Sequence, residues 1–465
     1  MKKAAIIGCG GISQVHLRAI AGMEEAELAV LCDVDEEKAL RRREEYLRER
    51  TGEIVNDRSP AEEMDKKPKD TQELNPERKQ AGMSEGGSDK HKVPSGIKIC
   101  TDWHELCGMD IDVVHICTPH YLHVPMAVEL MNAGKAVFME KPCAVSTEQF
   151  EELAAADARH PGKLGICFQN RYNETTRIID KTIAEGRIGK VTGGRAFVTW
   201  RRDEDYYRCS AWKGRLATEG GGALINQSIH TLDLLLRYLG EPVEIKATLA
   251  NHHLQRNTGC GSDYENGRDH VSGAKIVFGA ADCVLEDVCP EDTHNKHEEK
   301  PDFDRIEVED TVEAWMEFEN GARACFYAST GYAADAPVIL ELQGDKGRIS
   351  MNGSTVFLEN EEDGFLILAS DIPVKGVAEN LQAGSTAQIA SDKSAGVIRV
   401  RQTKGEDCQQ IGQHPCTIKD YWGSGHKACI EDFYRCLTTG DPFPVNLKGA
   451  ENSFRTMMKI YAYRR

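Results

Sequence analysis

Long apolar runs are missing from this chain. No stretch of about 18 consecutive apolar residues occurs, so no membrane-spanning helix is expected. The start, Met1-Lys2-Lys3-Ala4-Ala5-Ile6-Ile7-Gly8, has the basic flavour of a secretion signal. Its apolar run is short and is broken by Gly8, Gly10 and Gly11, which argues against export. Positive charge is also scarce: 57 Lys and Arg against 75 Asp and Glu leave a net charge of −18. That balance disfavours nucleic acid and anionic membranes as partners, because both select basic surfaces. Paired cysteines are lacking too. There are 16 cysteines and no Cys-x-x-Cys, so reduced thiols in a cytoplasm are expected. Cys283, Cys289, His294 and His297 are zinc-ligand types, but their spacing fits no usual structural zinc pattern. They read as part of a solvated loop, and no metal is expected. Aromatic residues vanish altogether between Tyr46 and Trp103. From Thr51 to about Ser95 the chain is rich in Lys, Glu, Asp, Pro and Gly, a composition that cannot offset its ordering entropy.

What is present is length and alternation. A chain of 465 residues with 40 % apolar content suggests two domains, each with its own core. Strand-like Lys3-Ile7, Glu27-Leu31, Val113-Cys117, Ala136-Met139 and Leu164-Phe168 alternate with helical stretches. One helix covers Ile12-Met23, another Glu36-Arg50, and a third ends at Gly134. Ser146 and Gln149 form a capping box that opens a further helix. Such alternation predicts a doubly wound parallel sheet over residues 1–170, interrupted by the polar insertion at about 51–95. After a helix at Thr175-Glu185 the texture changes to a meander: Gly194-Trp200, Val243-Ala250, Ala274-Phe278, Thr311-Phe318, Ala322-Ser329, Val338-Gln343 and Gly347-Met351. Residues 171–465 are therefore expected to form an α+β domain with a mostly antiparallel sheet, polar insertions at about 251–272 and 286–305, and closing helices at His426-Leu437 and Asn452-Tyr463. The region 372–420 shows no clear pattern.

The run Ile6-Ile7-Gly8-Cys9-Gly10-Gly11-Ile12-Ser13 follows the first strand directly. Gly8 allows the tight turn, and Gly10 allows close approach of a pyrophosphate. The helix near Ile12 aims its amides and positive dipole end at those phosphates, and Ser13 stands where a third small residue is needed. The second strand ends at Asp33, whose carboxylate suits a ribose diol and repels a 2′-phosphate. NAD is expected in preference to NADP, with arginines such as Arg41 near enough to alter that balance.

Two further motifs carry chemistry. Val137-Phe138-Met139 runs straight into Glu140-Lys141-Pro142, placing a lysine at the carboxyl end of a parallel strand, where such sheets bind ligands. By itself Lys141 reads as a surface charge paired with Glu140. The second motif is Glu219-Gly220-Gly221-Gly222 followed by a leucine-rich helix of about four turns. Asn226, His230, Asp233 or Leu234, and Arg237 recur at helical spacing on that helix and share a face. A polar stripe on a buried helix must find partners. A core histidine bonded to a carbonyl is the plainer reading of His230.

With these residues the sequence resembles the glucose–fructose oxidoreductase / inositol dehydrogenase / MocA (Gfo/Idh/MocA) family of NAD(P)-dependent oxidoreductases. The resemblance rests on the glycine turn, Cys117-Thr118-Pro119-His120 with His123, Glu140-Lys141-Pro142, Asn170-Arg171-Tyr172-Asn173, the glycine-led helix with His230, and Tyr421-Trp422-Gly423-Ser424-Gly425-His426. It runs from end to end apart from the insertions. It implies a Rossmann domain followed by an open, mostly antiparallel sheet that packs on another subunit, in a homodimer or homotetramer. It also implies a sugar, inositol or related polyol as substrate, with Lys141 and His230 beside the nicotinamide as the catalytic pair.

By the same resemblance the cofactor meets Gly8, Gly10, Gly11, Ile12, Asp33, Thr118, Pro119, His120, His123, Glu140, Lys141 and Asn170. The substrate meets Lys141, Arg171, Trp212, Lys213, Asn226 and His230, with Trp200, Arg201, Tyr206 and Tyr207 as further candidates. Many members carry an aspartate where this chain has Asn226. Asparagine cannot take a proton, so the proton work falls to Lys141 and His230, and partial burial would bring the lysine toward its working range. Glu140 is expected to be structural. The alternative activity is an NAD-dependent glycosidase that oxidises, eliminates and re-reduces its sugar; a non-catalytic NAD-binding regulator is a third reading.

Overall fold

Lys2–Ile7 (β1) is the middle strand of a parallel sheet. Both of its faces are covered, so Ala4, Ala5 and Ile6 are wholly buried and the strand reads as a continuous apolar run. The computed structural model describes residues 1–51, 96–252, 306–369, 388–392, 397–401 and 425–464. Its other parallel strands are β2 (Ala26–Cys32), β3 (Lys98–Cys100), β4 (Val113–Ile116), β5 (Ala136–Glu140) and β6 (Leu164–Cys167). They lie in the order β3-β2-β1-β4-β5-β6. Helices α1 (Ser13–Ala21), α2 (Glu36–Thr51), α3 (Glu105–Gly108), α4 (His123–Asn132) and α5 (Thr147–Arg159) connect them. Ser146 caps α5 by accepting from the Gln149 amide, and Gln149 returns a bond to the Val145 amide. The order reverses between β1 and β4, which opens a crevice at the carboxyl ends of those strands. This is the doubly wound parallel sheet that the alternation predicts, in the Rossmann form that the resemblance implies. The edge strand β3 has only three residues, too few to show a pattern.

A turn at Gln169–Tyr172 and helix α6 (Glu174–Ala184) lead into a second sheet. It begins with β7 (Val191–Thr199) and, after α7 (Glu204–Arg208), α8 (Leu216–Glu219) and α9 (Ile229–Leu239), continues with β8 (Pro242–Ala250), β9 (Thr311–Phe318), β10 (Arg323–Ser329), β11 (Ile339–Gly344), β12 (Gly347–Asn352), β13 (Thr355–Asn360), β14 (Gly364–Ala369), β15 (Gln388–Asp392) and β16 (Val397–Arg401). The order is β15-β16-β14-β13-β12-β11-β7-β10-β9-β8, antiparallel throughout except where β7 meets β10. In β9 the residues Val312, Ala314, Met316 and Phe318 face the covered side, while Glu313 and Trp315 face out. Trp315 remains 64 % exposed. The expected strand Ala274-Phe278, the Cys283–His297 cluster, and nearly all of the three polar insertions lie outside the described residues.

Helices α10 (Gly425–Thr439) and α11 (Leu447–Tyr461) close the chain. The first packs on α1 and the second on α9, and the Ile166 amide donates to Val445 O at 2.9 Å. The last segment thus ties both sheets together. One helix differs from expectation. Ala223–Ser228 is a π-helical turn that becomes α-helical only at Ile229. The Ser228 hydroxyl donates to Ala223 O at 2.7 Å, five residues back. Glu309 accepts the Gly222 and Leu224 amides, each at 3.0 Å. Both bonds favour the wider turn over the tighter α spacing, so Asn226 does not lie on one continuous α-helical face with His230.

Candidate active site

The glycine turn is built for an anion. Gly8 has φ +85°, and a Cβ there would lie 2.7 Å from Cys117 O, so no other residue fits. A Cβ at Gly10 would meet nothing within 4 Å, which leaves open space above the turn. Helix α1 begins without a side-chain cap, and the amides of Gly10, Gly11 and Ile12 have no acceptor among the described residues. These are free donors of the kind a pyrophosphate takes up. Asp33 ends β2 with Oδ2 accepting from the Cys9 amide at 2.6 Å and Oδ1 from the Asp35 amide at 2.9 Å, which fixes the carboxylate beside the turn. Arg42 rather than Arg41 reaches this turn. It donates to Gly10 O and to Ser13 Oγ and pairs with Glu45. The residues present therefore fit a dinucleotide.

Successive strand residues point to opposite sides, and at the end of β5 this separates Glu140 from Lys141. Glu140 points into the core. Its Oε1 meets His16 Nε2 at 2.8 Å, His16 Nδ1 meets His115 Nδ1 at 2.9 Å, and His115 Nε2 meets Tyr434 OH at 2.9 Å. Burial pushes the Glu140 carboxyl up, but the His16 bond and charge outweigh it and hold the group well below its ordinary value. His16, Glu140 and Cys167 hold their ligand atoms within 4.8 Å of one another. Both His16 nitrogens are already engaged, so a cation could reach Nε2 only by displacing Glu140.

Lys141 points the other way. It precedes a cis bond to Pro142. Its Nζ donates to Asn226 O at 2.8 Å and contacts Asn226 Oδ1 at 3.4 Å. Burial lowers its pKa, opposed by Glu140, Cys167 and Glu219. His230 lies within the electrostatic reach of Lys141; burial first, and the lysine second, push its imidazole well below the ordinary histidine value. His230 Nδ1 is buried without a hydrogen-bond partner among the described residues, a state that a bound molecule would relieve. The plainer reading of His230, a core imidazole bonded to a carbonyl, does not apply to this nitrogen.

The other expected residues divide. His120 Nδ1 meets Glu219 O at 2.8 Å, and its ring lies 4.7 Å from that of Trp212, so both line the same wall. His123 meets Pro142 O and Thr118 O, each at 2.9 Å, and stitches the Thr118-Pro119 turn to the Lys141 turn. Lys213 Nζ sits 3.9 Å above the Tyr206 ring. Asn170 accepts from Thr176 Oγ1 and the Asn173 amide through its main-chain oxygen, and holds the turn after β6.

Arg171, expected at the substrate, is turned inward. It donates to both Asp233 oxygens, at 2.7 and 2.5 Å, and to Gly449 O at 2.8 Å. A bidentate pair beside buried Asp233 holds α9 to α11 and leaves this arginine committed to the fold. Arg237 is similarly spent on Asp180. Arg201 is exposed and paired with Asp203, Trp200 donates to Ala336 O, and Tyr207 packs with Ile306 and Val308. Of the Tyr421–His426 motif only Gly425 and His426 are described. Burial lowers the His426 imidazole to about 4, near Glu140.

The site contains one residue the sequence did not single out. Glu219 is 1 % exposed, and its Oε1 accepts from Asn226 Nδ2 at 2.6 Å. The only signal was a glutamate ahead of the glycines, which reads as an ordinary helix-end charge.

A family model described as an oxidoreductase family with an NAD-binding Rossmann fold matches residues 2–168, and one described as the GFO/IDH/MocA C-terminal domain matches residues 176–350. Inositol 2-dehydrogenase of Rhizobium meliloti is 32 % identical over 146 residues, 30 % of this chain and 41 % of that protein. Levoglucosan dehydrogenase of Pseudarthrobacter phenanthrenivorans is 24 % identical over 254 residues, 54 % of this chain and 58 % of that one. The chain thus spans about half the length of the curated relatives it matches. Among solved structures, the WlbA dehydrogenase of Bordetella pertussis in complex with NADH and UDP-GlcNAcA superposes with a TM-score of 0.61 at 19 % identity, covering 99 % of this chain and 95 % of that one. Levoglucosan dehydrogenase with NADH and levoglucosan gives 0.61 at 17 % identity, with 99 % and 97 % coverage. At such identities these likenesses speak for the fold.

Proposed function

The chain belongs to the Gfo/Idh/MocA oxidoreductase family, and from that premise we propose that it is an NAD-dependent dehydrogenase acting on a hydroxyl of a sugar, inositol or sugar derivative. The observation that carries this reading is Lys141 Nζ, held at the carboxyl end of β5 by Asn226 and within electrostatic reach of His230, whose Nδ1 has no hydrogen-bond partner among the described residues. When bound, NAD supplies the hydride acceptor. The chain divides near residue 170 into a part that binds it and a part that presents the substrate.

Lys141, its ammonium form disfavoured by burial, accepts the hydroxyl proton of the substrate as the carbon is oxidised. His230 Nδ1 accepts a hydrogen bond from a substrate hydroxyl and so orients the reacting carbon. Trp212 and His120 offer an apolar wall to the sugar ring. Asn226 orients Lys141, and Arg171 supports the helix behind it. Asp33 favours NAD over NADP, because its carboxylate repels a 2′-phosphate, and Arg42, the arginine that reaches the glycine turn, is paired with Glu45. The relatives named for inositol and levoglucosan support the substrate class. Two features support a homo-oligomer in the cytoplasm: the outward Trp315 on the second sheet, exposed among the described residues, and the free thiols of the described cysteines.

The test is a panel of sugars, polyols and glycosides offered with NAD, followed by NADH absorbance and product analysis. Net NADH with a matching carbonyl product is expected. Release of a glycosidic substituent without net NADH would identify a glycosidase instead. Tight NAD binding with no turnover on any compound would favour a regulator.

A further inference from the structure

The mechanism above leaves one buried carboxyl in the site without a task. Glu219 ends α8, and its Oε2 accepts from the Gly214 amide at 2.5 Å while Oε1 accepts from Asn226 Nδ2 at 2.6 Å. Asn226 in turn receives Lys141 Nζ at its main-chain oxygen and approaches it with Oδ1. A carboxamide has a donor end and an acceptor end. Here the donor end faces a carboxylate and the acceptor end an ammonium, so the amide bridges the two charges. Tyr206 OH, 3.1 Å from the same Nδ2, fixes the amide further.

The surroundings differ for the two ends of the bridge. Lys213, Glu309, Tyr206 and Tyr207 face the Glu219 carboxyl, and His120 meets its main-chain oxygen. Glu140, Cys167, His120, His123 and His230 surround Lys141. Burial pushes Glu219 up to about 7, against its bonds from Gly214 and Asn226 and the nearby Lys213. Its charge therefore changes near neutrality, while that of Glu140 does not.

We propose that Glu219 is a positioning residue that, through Asn226, sets how firmly Lys141 holds its proton. This rests on the reading of Lys141 as the proton acceptor. In oxidation the substrate O–H bond breaks and an N–H bond forms at Lys141 Nζ. The hydride leaves carbon with its electron pair for the nicotinamide, so one alcohol and one oxidised cofactor become one carbonyl, one reduced cofactor and one lysine-borne proton. An ionised Glu219 holds that proton on Lys141 and favours the reduction of a carbonyl. Loss of its charge favours the free amine and oxidation.

A measurement that needs no substrate tests the coupling. The full-length protein is labelled with an amine-directed reagent across a pH series, and modification of Lys141 is read by peptide mass. Glu219→Gln should label Lys141 about tenfold faster between about pH 7, above which the native Glu219 carries its charge, and the Lys141 midpoint, the size expected when one neighbouring charge is removed, and the two profiles should converge at lower pH. Glu219→Gln with Asn226→Asp, which sets a carboxylate beside Lys141, should return labelling toward the native profile. Should Glu219→Gln fail to fold, Asn226→Leu, which cuts the bridge, should move labelling in the same direction. An unchanged profile in the folded variant overturns the proposal. With a substrate in hand, the rising limb of kcat/KM for oxidation should shift to lower pH in Glu219→Gln; a uniform loss at every pH would reduce Glu219 to a structural role. A labelling shift in a protein that oxidises no sugar or polyol would keep the coupling and sink the dehydrogenase reading instead.

Discussion

Glu140 at the end of β5 and Glu219 ahead of Gly220-Gly221-Gly222 both act on Lys141, and the two regions treat a buried carboxyl in opposite ways. In the Rossmann sheet Glu140 meets a dedicated histidine, itself backed by a second histidine and a tyrosine, and burial loses to that partner. At the candidate site the described hydrogen-bond donors to the Glu219 carboxyl are an amide and a main-chain N–H, with Lys213 nearby but not bonded to it, and burial wins. The difference teaches that burial alone does not set a charge. What decides is whether a cationic or proton-donating partner is packed with the group. A fixed charge anchors the lysine turn from behind, and a variable one lies across the pocket from it.

The sharpest way to break this comparison is to remove the group between the two carboxyls. Lys141→Met should cut turnover by about a thousandfold or more with NAD affinity, measured by calorimetry, largely kept; turnover near the native rate would dismiss Lys141 from the chemical step.

Glu140→Gln comes next. It removes the charge from a buried pair, and denaturant unfolding should show a loss of about 3 kcal/mol at neutral pH. The sign of its pH dependence follows from a depressed carboxyl: the stabilisation is present above the ordinary carboxylate range and fades as pH falls through that range toward the folded-state value. The gap to the native protein should therefore close in acid.

Glu219→Gln should do the reverse. A carboxyl raised from 4.5 to about 7 contributes stability that is full below 4.5 and lost as pH rises through about 7. Glutamine cannot ionise, so the variant should gain on the native protein across that window, by up to about 3 kcal/mol in unfolding free energy. A pH-independent difference would show that the carboxyl does not titrate there. The smallest effect is expected from Tyr434→Phe, at the far end of the Glu140 chain. It leaves His115 Nε2 without its partner and should cost about 1 kcal/mol in thermal or denaturant unfolding, with NADH formation unchanged. Altered NADH formation would extend the site to that end of the chain.

Much of the architecture was legible because its causes are local. Glycines directly after a buried strand, a capping box at Ser146, and strand runs separated by helices each occupy a few residues, and the parallel sheet follows from them. Strands β13 and β14 escaped notice because Val356-Phe357-Leu358 is a short continuous apolar run without alternation, and the polar turn at 361–363 follows it closely. The π turn was invisible because Glu309, which caps it, lies beyond the next strand. In the candidate site, the placing of Lys141 at the end of a strand was legible in Glu140-Lys141-Pro142, and its contact with Asn226 was not. Arg171 was misplaced, because a free arginine and one paired with Asp233, 62 residues later, look alike in sequence.

The sequence by itself determined the alternating strands and helices of a parallel sheet, the glycine turn with Asp33, and the delivery of a lysine to the end of a strand, since backbone conformation and burial periodicity are written in neighbouring residues. Only the tertiary structure decided which charges meet. Lys141 finds Asn226 across 85 residues, and Asn226 finds Glu219 on the far side of the glycines. Those contacts, and the burial that sets whether each group carries charge, exist only once the two sheets and the closing helices have packed together.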